Sequence, residues 1–423
     1  MIVNIKPSKL KGRIRAPYSK SLAHRMLICA ALAKGESCIE GIAKSEDMLA
    51  TLDCIEGLGA LYRLEGDIAY IKGTGEVKKE ASFDYVVFPC RESGSTLRFL
   101  IPLAMICRGK VRFKGQERLF KRGISVYEDI FTQNGNDIEL KKYEDHIDIS
   151  GSLKAGSYTL RGDVSSQFIS GLMFALPLLE SDSMIRVTEP VESRSYIDIT
   201  LEVLKLFGVD IEEREKNLFY IKGASVYKAY KGKVEGDWSN AAFLYAFNSF
   251  GNAIEPEGLN DNSKQGDRVC RQLLLKGEGL KDLTKLKAKG REEDLSQAVD
   301  ISDCPDLGPV LFAAYAGMHG GRFIGTRRLK IKESDRALAM KEELEKFGIE
   351  MDIFENSVNI YKGELKEPCE HLMGHNDHRI VMALSILCSL TGGVIEGAEA
   401  VRKSYPDFFK DMKDLGLEVE IEV

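Results

Sequence analysis

One pattern recurs along the chain at intervals of roughly 70 residues: an amphipathic helix, a turn at glycine, a strand, a turn, a strand and a closing glycine. It runs from Leu58-Gly59 to Tyr70-Ile71-Lys72-Gly73, and from Asn134-Gly135 to Ile147-Asp148-Ile149-Ser150-Gly151. It returns from Phe207-Gly208-Val209 to Phe219-Tyr220-Ile221-Lys222-Gly223, and from Phe347-Gly348-Ile349 to Asn359-Ile360-Tyr361-Lys362-Gly363. A fifth copy starts at Leu415-Gly416-Leu417 and is cut short along the alternating residues 418–423; a sixth, around 268–277, is degenerate. The glycine after each helix suits a left-handed C-cap, and the alternating stretch suits a half-exposed strand. A unit this short cannot bury its own apolar faces, so three must close on one another. The prediction is an α/β chain of α+β type, with two similar lobes of three units, each unit holding one half-exposed helix, one buried helix and several strands.

The helices before these glycines are amphipathic, as in Ile197, Leu201, Leu204 and Leu206, or Leu338, Met340, Leu344 and Phe347. Between them lie nearly all-apolar helices, each opened by a knot of polar and charged residues. Lys20-Ser21 with Arg25 leads into 26–33; Glu92-Ser93-Gly94-Ser95-Thr96 with Arg98 leads into 99–106. Ser165-Ser166-Gln167 leads into 168–179, and Asn376-Asp377-His378-Arg379 into 380–390. Lys332-Glu333-Ser334-Asp335-Arg336 precedes another helix. A helix start already carries free N–H groups and partial positive charge. Adding Arg and Lys there opposes the helix dipole unless an anion neutralises them, so these starts are expected to converge between the lobes on a small, multiply negative ligand. A chain crossing is placed at Val234-Glu235-Gly236-Asp237-Trp238-Ser239, where a fresh apolar helix begins after a Lys/Tyr-rich stretch.

Bulk composition narrows the partners. A net charge of −6 excludes a nucleic-acid-coating surface, so the basic knots are local features of an acidic protein. Nine cysteines without a C-x-x-C pair point to reduced thiols in the cytoplasm. The basic residues up to Arg25 and the apolar stretch 26–33 loosely imitate a secretory signal, but the long, Pro- and Gly-punctuated stretch before them does not fit one. No apolar run reaches the ~20 residues that span a bilayer, and a bacterial or archaeal cytoplasmic protein is expected.

Several motifs carry chemistry, each beside a plainer reading. If Ser334 is an N-cap, Lys332 and Glu333 lie in the loop before the helix and Arg336 in its first turn. That places two cations for an anion and leaves Glu333 to transfer a proton; the alternative is a salt-bridged surface turn. Cys369, His371, His375 and His378 bring four potential metal ligands into ten residues. Alternatively, Asp377 caps a helix that presents His378 and Arg379 to an anion. Ser165-Ser166-Gln167 offers hydroxyls and an amide, or a double cap. Asp306 heads the apolar helix 307–316, where a carboxylate is ordinarily a cap. No P-loop, G-x-G-x-x-G or G-x-S-x-G occurs.

Taken in order along the whole chain, these motifs resemble the 5-enolpyruvylshikimate-3-phosphate synthase family of enolpyruvyl transferases. The resemblance rests on Lys20-Ser21 with Arg25, Ser93 to Arg98, Ser165-Ser166-Gln167, Ser193 with Tyr196, Lys332 to Arg336, Asn376 to Arg379, and Lys403 before Pro406-Asp407. It implies two lobes, each of three βαβαββ-type units whose helix N-termini face an interlobe cleft, with residues 1–18 joining 236–423 in one lobe and 19–235 forming the other. The first lobe would carry much of the phosphoenolpyruvate site and the second much of the shikimate 3-phosphate site. It implies that Ser21, Arg25, Ser165, Ser166, Gln167, Ser193, Tyr196, Asp306 and Lys332 hold shikimate 3-phosphate. Lys20, Gly94, Arg122, Gln167, Arg336, Arg379 and Lys403 would hold phosphoenolpyruvate. Glu333 would protonate the methylene carbon, and Asp306 and Lys20 would handle the hydroxyl and phosphate protons, through a tetrahedral intermediate. No metal or organic cofactor is implied, and a monomer is expected. Gly123, Phe99 and Glu92 depart from residues common in the family, which bears on the response to the inhibitor glyphosate rather than on the reaction.

Other readings of the same residues are the sister transfer to UDP-N-acetylglucosamine, a metal-dependent enzyme or regulator built on His371, His375 and His378, and a non-catalytic anion-binding protein.

Overall fold

In the computed structural model of the chain, all five helix-ending glycines adopt a positive φ: 100° at Gly59, 60° at Gly135, 80° at Gly208 and Gly348, and 112° at Gly416. Only glycine takes these angles without strain, so the chain leaves each helix at a fixed point. Four of the five then enter an antiparallel hairpin: Leu61–Glu65 with Ile68–Lys72, Asp137–Lys142 with His146–Ser152, Ile211–Glu215 with Leu218–Ile221, and Met351–Ile353 with Ser357–Ile360. The fifth strand, Val419–Glu422, pairs antiparallel with Ile2–Ile5 instead. The chain's first strand thus supplies the partner that the truncated last copy lacks. The closing glycine of the first copy has a different cause. A Cβ at Gly73 would lie 2.3 Å from the Ala33 carbonyl oxygen, so the hairpin end sits directly on the end of a buried helix.

The structure describes residues 1–75, 84–107, 110–121, 123–275 and 298–422. They form two units, Tyr18–Glu235 and Met1–Pro17 with Gly236–Val423. In Tyr18–Glu235, three four-stranded sheets share one topology, in which each hairpin pairs with a strand that in turn has a parallel neighbour. Those parallel pairs are Lys231–Lys233 with Glu36–Glu40, Val86–Arg91 with Lys110–Gly115, and Ser157–Arg161 with Ser183–Thr188. The other unit repeats this arrangement twice, through Val299–Asp300 with Gly321–Ile324 and Leu372–Met373 with Gly393–Glu396. Its third sheet has two described strands, Lys11–Arg15 and Ala253–Glu257, in parallel. Of the degenerate sixth copy, the structure describes the end of the turn Gly266–Val269 and the short helix Cys270–Leu275, which packs on Trp238–Asn248; its residues from 276 on lie outside the described ones.

Each unit is centred on the apolar helices. Gly94–Cys107 packs on Ser166–Ala175 in one; Trp238–Asn248, Gly308–Met318 and His378–Thr391 pack together in the other. Two members of the predicted amphipathic stripes are exposed instead, Leu206 at 42% and Leu338 at 48%. Leu206 stands two residues from Leu204, and Leu338 two from Met340, which at 3.6 residues per turn turns them to the opposite face. Val203 and Phe207 take up the first stripe, and Ala337 the second. Among the described residues no helix is long and apolar enough to cross a membrane.

Candidate active site

In Tyr18–Glu235 the polar knots become helix starts. Ser19 caps the helix Lys20–Leu32, accepting from the Leu22 amide. This places Lys20, Ser21 and Arg25 in its first two turns. Lys20 Nζ donates to Asp47 Oδ2 at 2.9 Å. Arg25 is 2% exposed and is held entirely by neutral acceptors. Its Nε donates to Thr200 Oγ1 at 2.8 Å, Nη1 to the Ser21 carbonyl at 2.7 Å, and Nη2 to the Tyr196 carbonyl at 3.1 Å and Ser170 Oγ at 3.4 Å. Its guanidinium also lies 4.9 Å from the centre of the Phe99 ring. Burial pulls this guanidinium down to about 10. Four of its five protons are committed, so a two-pronged fork to a phosphate is not available in this arrangement.

Ser165 caps Ser166–Ala175 by accepting from the Gln167 amide at 3.3 Å. The Gln167 side chain is locked at both ends: Arg98 Nη1 donates to its Oε1 at 2.7 Å, and its Nε2 donates to Ser95 Oγ at 2.9 Å. Ser193 is buried, with φ 57° and ψ 44°, immediately before the helix Arg194–Leu206 that carries Tyr196. Gly94 is the first residue of Gly94–Cys107, and Ser93 accepts from the Thr96 amide at 3.3 Å. Arg122 lies outside the described residues.

The other unit holds a denser cluster. Asp306 lies in the 3₁₀ turn Pro305–Leu307 and, contrary to expectation, is not a cap. Its Oδ1 accepts from Lys332 Nζ at 2.9 Å and Arg336 Nη1 at 2.8 Å, and its Oδ2 from Arg379 Nη2 at 3.2 Å. Burial alone would raise this carboxyl, but Arg379, Lys332 and Arg336 outweigh it and hold Asp306 well below the usual carboxylate range. Burial pulls Lys332 down to about 8, against the opposing charge of Asp306.

The cap of the helix Arg336–Lys346 is Asp335 rather than Ser334. Ser334 Oγ donates instead to Asp377 Oδ2 at 3.0 Å, because Asp377 is buried and already anchors Arg336 Nε at 2.8 Å. Asp377 also caps His378–Thr391, accepting from the Arg379 amide at 2.9 Å. Arg336 Nη2 donates to Glu333 Oε2 at 2.6 Å, and Arg379 Nη2 to Ser239 Oγ at 2.8 Å. Lys403 Nζ donates to the Asn376 carbonyl at 2.8 Å.

Lys332, Arg336 and Arg379 are therefore matched by Asp306, Glu333 and Asp377. In this unit the cations that looked in excess at the helix starts have carboxylate partners, Asp306 and Asp377 brought in by tertiary contacts and Glu333 from the same turn. The Cys/His run does not gather on one point. Cys369 is exposed, His371 Nδ1 faces Glu396 Oε1 at 2.6 Å, and His375 Nε2 faces Glu343 Oε1 at 2.8 Å, while His378 is buried beside Asp377. Among the described residues, Glu342, Glu343 and His375 do place ligand atoms within 4.8 Å of one another, but Lys346 Nζ already donates to Glu343 at 2.8 Å.

Sequence reasoning left Arg98, Ser95, Asp377 and Ser239 off the list of site residues. Each lies in a polar knot at the start of an apolar helix, the same signal that singled out their neighbours.

The buried cations and carboxylates gathered at the helix starts of 236–423 form a candidate site for small anions. The pattern of the family described as EPSP synthase (3-phosphoshikimate 1-carboxyvinyltransferase) matches residues 5–412. The chain is 42% identical over 425 residues to a 3-phosphoshikimate 1-carboxyvinyltransferase of Clostridium acetobutylicum, covering 99% of this chain and 98% of that one. It is 41% identical over 427 residues to one of Clostridium perfringens, covering 98% of each. In fold it is similar to an EPSP synthase structure from Acinetobacter baumannii, with a TM-score of 0.79, 23% identity and full coverage of both chains. The chain belongs to the EPSP synthase family.

Proposed function

We propose that the chain performs its family's reaction with the residues gathered above. It is an enzyme of the shikimate pathway that transfers the enolpyruvyl group of phosphoenolpyruvate to the 5-hydroxyl of shikimate 3-phosphate, releasing phosphate. The observation that carries the residue assignment is Asp306, held ionised by Lys332, Arg336 and Arg379. A carboxylate in that setting accepts a hydrogen bond from the reacting hydroxyl and orients its oxygen toward the enol carbon.

Shikimate 3-phosphate would be held by Ser21, the remaining Nη1 proton of Arg25, Ser165, Ser166, Gln167, Ser193 and Tyr196, with Asp306 and Lys332. Phosphoenolpyruvate would be held by Lys20, Gly94, Arg122, Gln167, Arg336, Arg379 and Lys403. Arg336 now donates to Glu333 and Asp377; an arriving carboxylate or phosphate would compete for its Nη2. Releasing Glu333 from Arg336 frees it to carry a proton to the methylene carbon of phosphoenolpyruvate. Asp306 and Lys20 would take the hydroxyl proton and return one to the departing phosphate. The addition product is tetrahedral, and loss of phosphate restores the enol ether. Fixed charge and positioning supply the rate. The eight described cysteines are free thiols, which supports a cytoplasmic, reducing setting, and a monomer is proposed.

The test is phosphate release from phosphoenolpyruvate with and without shikimate 3-phosphate, after exhaustive chelation, for the unaltered chain and Glu333→Gln. Release that requires the shikimate ester and survives chelation is expected, with kcat lowered by about 100-fold in the variant. An unchanged kcat in Glu333→Gln would remove Glu333 from the proton transfer.

A further inference from the structure

Between Lys20 and Arg25, on the same helix, stands His24, which is 0% exposed. Its Nδ1 lies 2.7 Å from Thr51 Oγ1. Thr51 Oγ1 lies 2.8 Å from Thr96 Oγ1, and Thr96 Oγ1 donates to Ser93 Oγ at 2.7 Å. Thr51, Thr96 and Ser93 are all fully buried. The line of hydroxyls therefore links three elements: the helix of Lys20, the helix Glu46–Gly57 that carries Asp47, and the start of the helix opened by Gly94.

The direction of this chain follows from counting protons. Each hydroxyl has one. Thr96 gives its proton to Ser93, so the short contact with Thr51 is a hydrogen bond only if Thr51 donates to Thr96. Thr51's proton is then taken, and its 3.3 Å approach to the Asp47 carbonyl is secondary. Thr51 can meet His24 only as an acceptor, so Nδ1 carries the imidazole proton and Nε2 is left bare. Nε2 is buried and has no hydrogen-bond partner among the described residues. The reverse direction would put a proton on Nε2 and bury an N–H without an acceptor, the costlier arrangement. Burial, with Lys20 and Arg25 adding to it, holds the imidazole well below its ordinary range, so the ring is neutral and the tautomer fixed.

We infer that His24 is a positioning residue for phosphoenolpyruvate: its Nδ1–H orders the Thr51–Thr96–Ser93 hydroxyl chain and so holds the Gly94 helix start in register with Lys20. This inference rests on the proposed placing of phosphoenolpyruvate at Gly94 and Lys20. A packing role alone, against the Phe99 ring whose centre lies 6.5 Å away in an edge-on arrangement, would be served as well by an apolar residue. Ordering the chain requires a donor at the Nδ1 position, which the asparagine amide reproduces and leucine does not.

The experiment compares His24→Asn, His24→Leu and Gly94→Ala with the unaltered chain, reading KM for each substrate, kcat and thermal melting, with nitrogen-15 NMR of the histidine ring. The expected spectrum shows His24 neutral and protonated at Nδ1; protonation at Nε2 overturns the inference. His24→Leu is expected to melt at or above the unaltered chain yet raise KM for phosphoenolpyruvate about tenfold, the weight of one ordered hydrogen bond. KM for shikimate 3-phosphate should move less than about twofold, and His24→Asn should restore KM for phosphoenolpyruvate to within about threefold. If His24→Leu leaves that KM unmoved, or His24→Asn is as impaired as His24→Leu, the inference falls. Gly94→Ala separates the two failures. If it raises KM for phosphoenolpyruvate while His24→Leu does not, the relay alone is wrong. If Gly94→Ala also has no effect, the placing of phosphoenolpyruvate at this helix start has failed and the relay's role falls with it.

Discussion

Two buried arginines, one in each unit, are satisfied in opposite ways. Arg25 is held by two hydroxyls and two carbonyls, all neutral, and its guanidinium is pulled down to about 10. Arg336 is held by Asp306, Glu333 and Asp377, and these carboxylates together outweigh its burial and raise it. The first environment carries an uncompensated positive charge that an incoming anion can neutralise. The second is already neutral as a set, so an incoming anion must displace a carboxylate that is present. In the proposed reading the first is a receptor for its substrate and the second an exchanger.

Three measurements sharpen or break this comparison, taken from the largest expected effect. Asp377→Ala should be the most damaging, because it strips Arg336, Ser334 and the Arg379 amide of a buried partner at once. Losing one side of a buried ion pair costs about 3–5 kcal/mol, so chemical denaturation should show a loss of that order. A loss below about 1 kcal/mol would mean that Arg336 has no need of its carboxylates. Arg25→Met should cost less, about 1–3 kcal/mol, since it leaves only neutral groups unsatisfied. It should weaken shikimate 3-phosphate binding, read by calorimetry, far more than it weakens folding. Unaltered binding would end the receptor reading.

The third measurement concerns pH. Asp267, buried in the turn Gly266–Val269, is pushed up to about 7 by burial and by the charge of Asp306. Its ordinary value is 3.8, so between pH 4 and 7 the folded chain binds more protons than the unfolded one, and stability falls as pH rises. Asp267→Asn should flatten that decline, worth on the order of 2–4 kcal/mol between pH 4 and 8. An unchanged slope would show that Asp267 stays ionised beside Asp306.

Much of the architecture was legible because it is local. A helix-ending glycine, the hairpin after it and the cap before the next helix are each decided within a few residues, and Gly59, Gly208 and Gly348 show it. Where spacing was applied too loosely, at Leu206 and Leu338, helix geometry turned the side chain to solvent. The first strand was harder. Ile2–Ile5 pairs with Gly393–Glu396 and Val419–Glu422 at the far end of the chain, and no periodicity of its own announces that.

The candidate site divides along the same line. Charged knots at helix starts identified Lys20, Arg25, Lys332, Glu333, Arg336 and Arg379, because opposing a helix dipole is a local anomaly that sequence alone exposes. What answers the anomaly was decided only in three dimensions. Asp306 meets Lys332, Arg336 and Arg379 across 26, 30 and 73 residues, and Asp377 meets Arg336 across 41. Thr200 and Ser170 reach Arg25 across 175 and 145. Local sequence determines which residues enter each helix start, since caps and periodicity act over one or two turns. Whether a buried cation finds a carboxylate or a hydroxyl depends on which helices pack together, and packing joins residues at any separation.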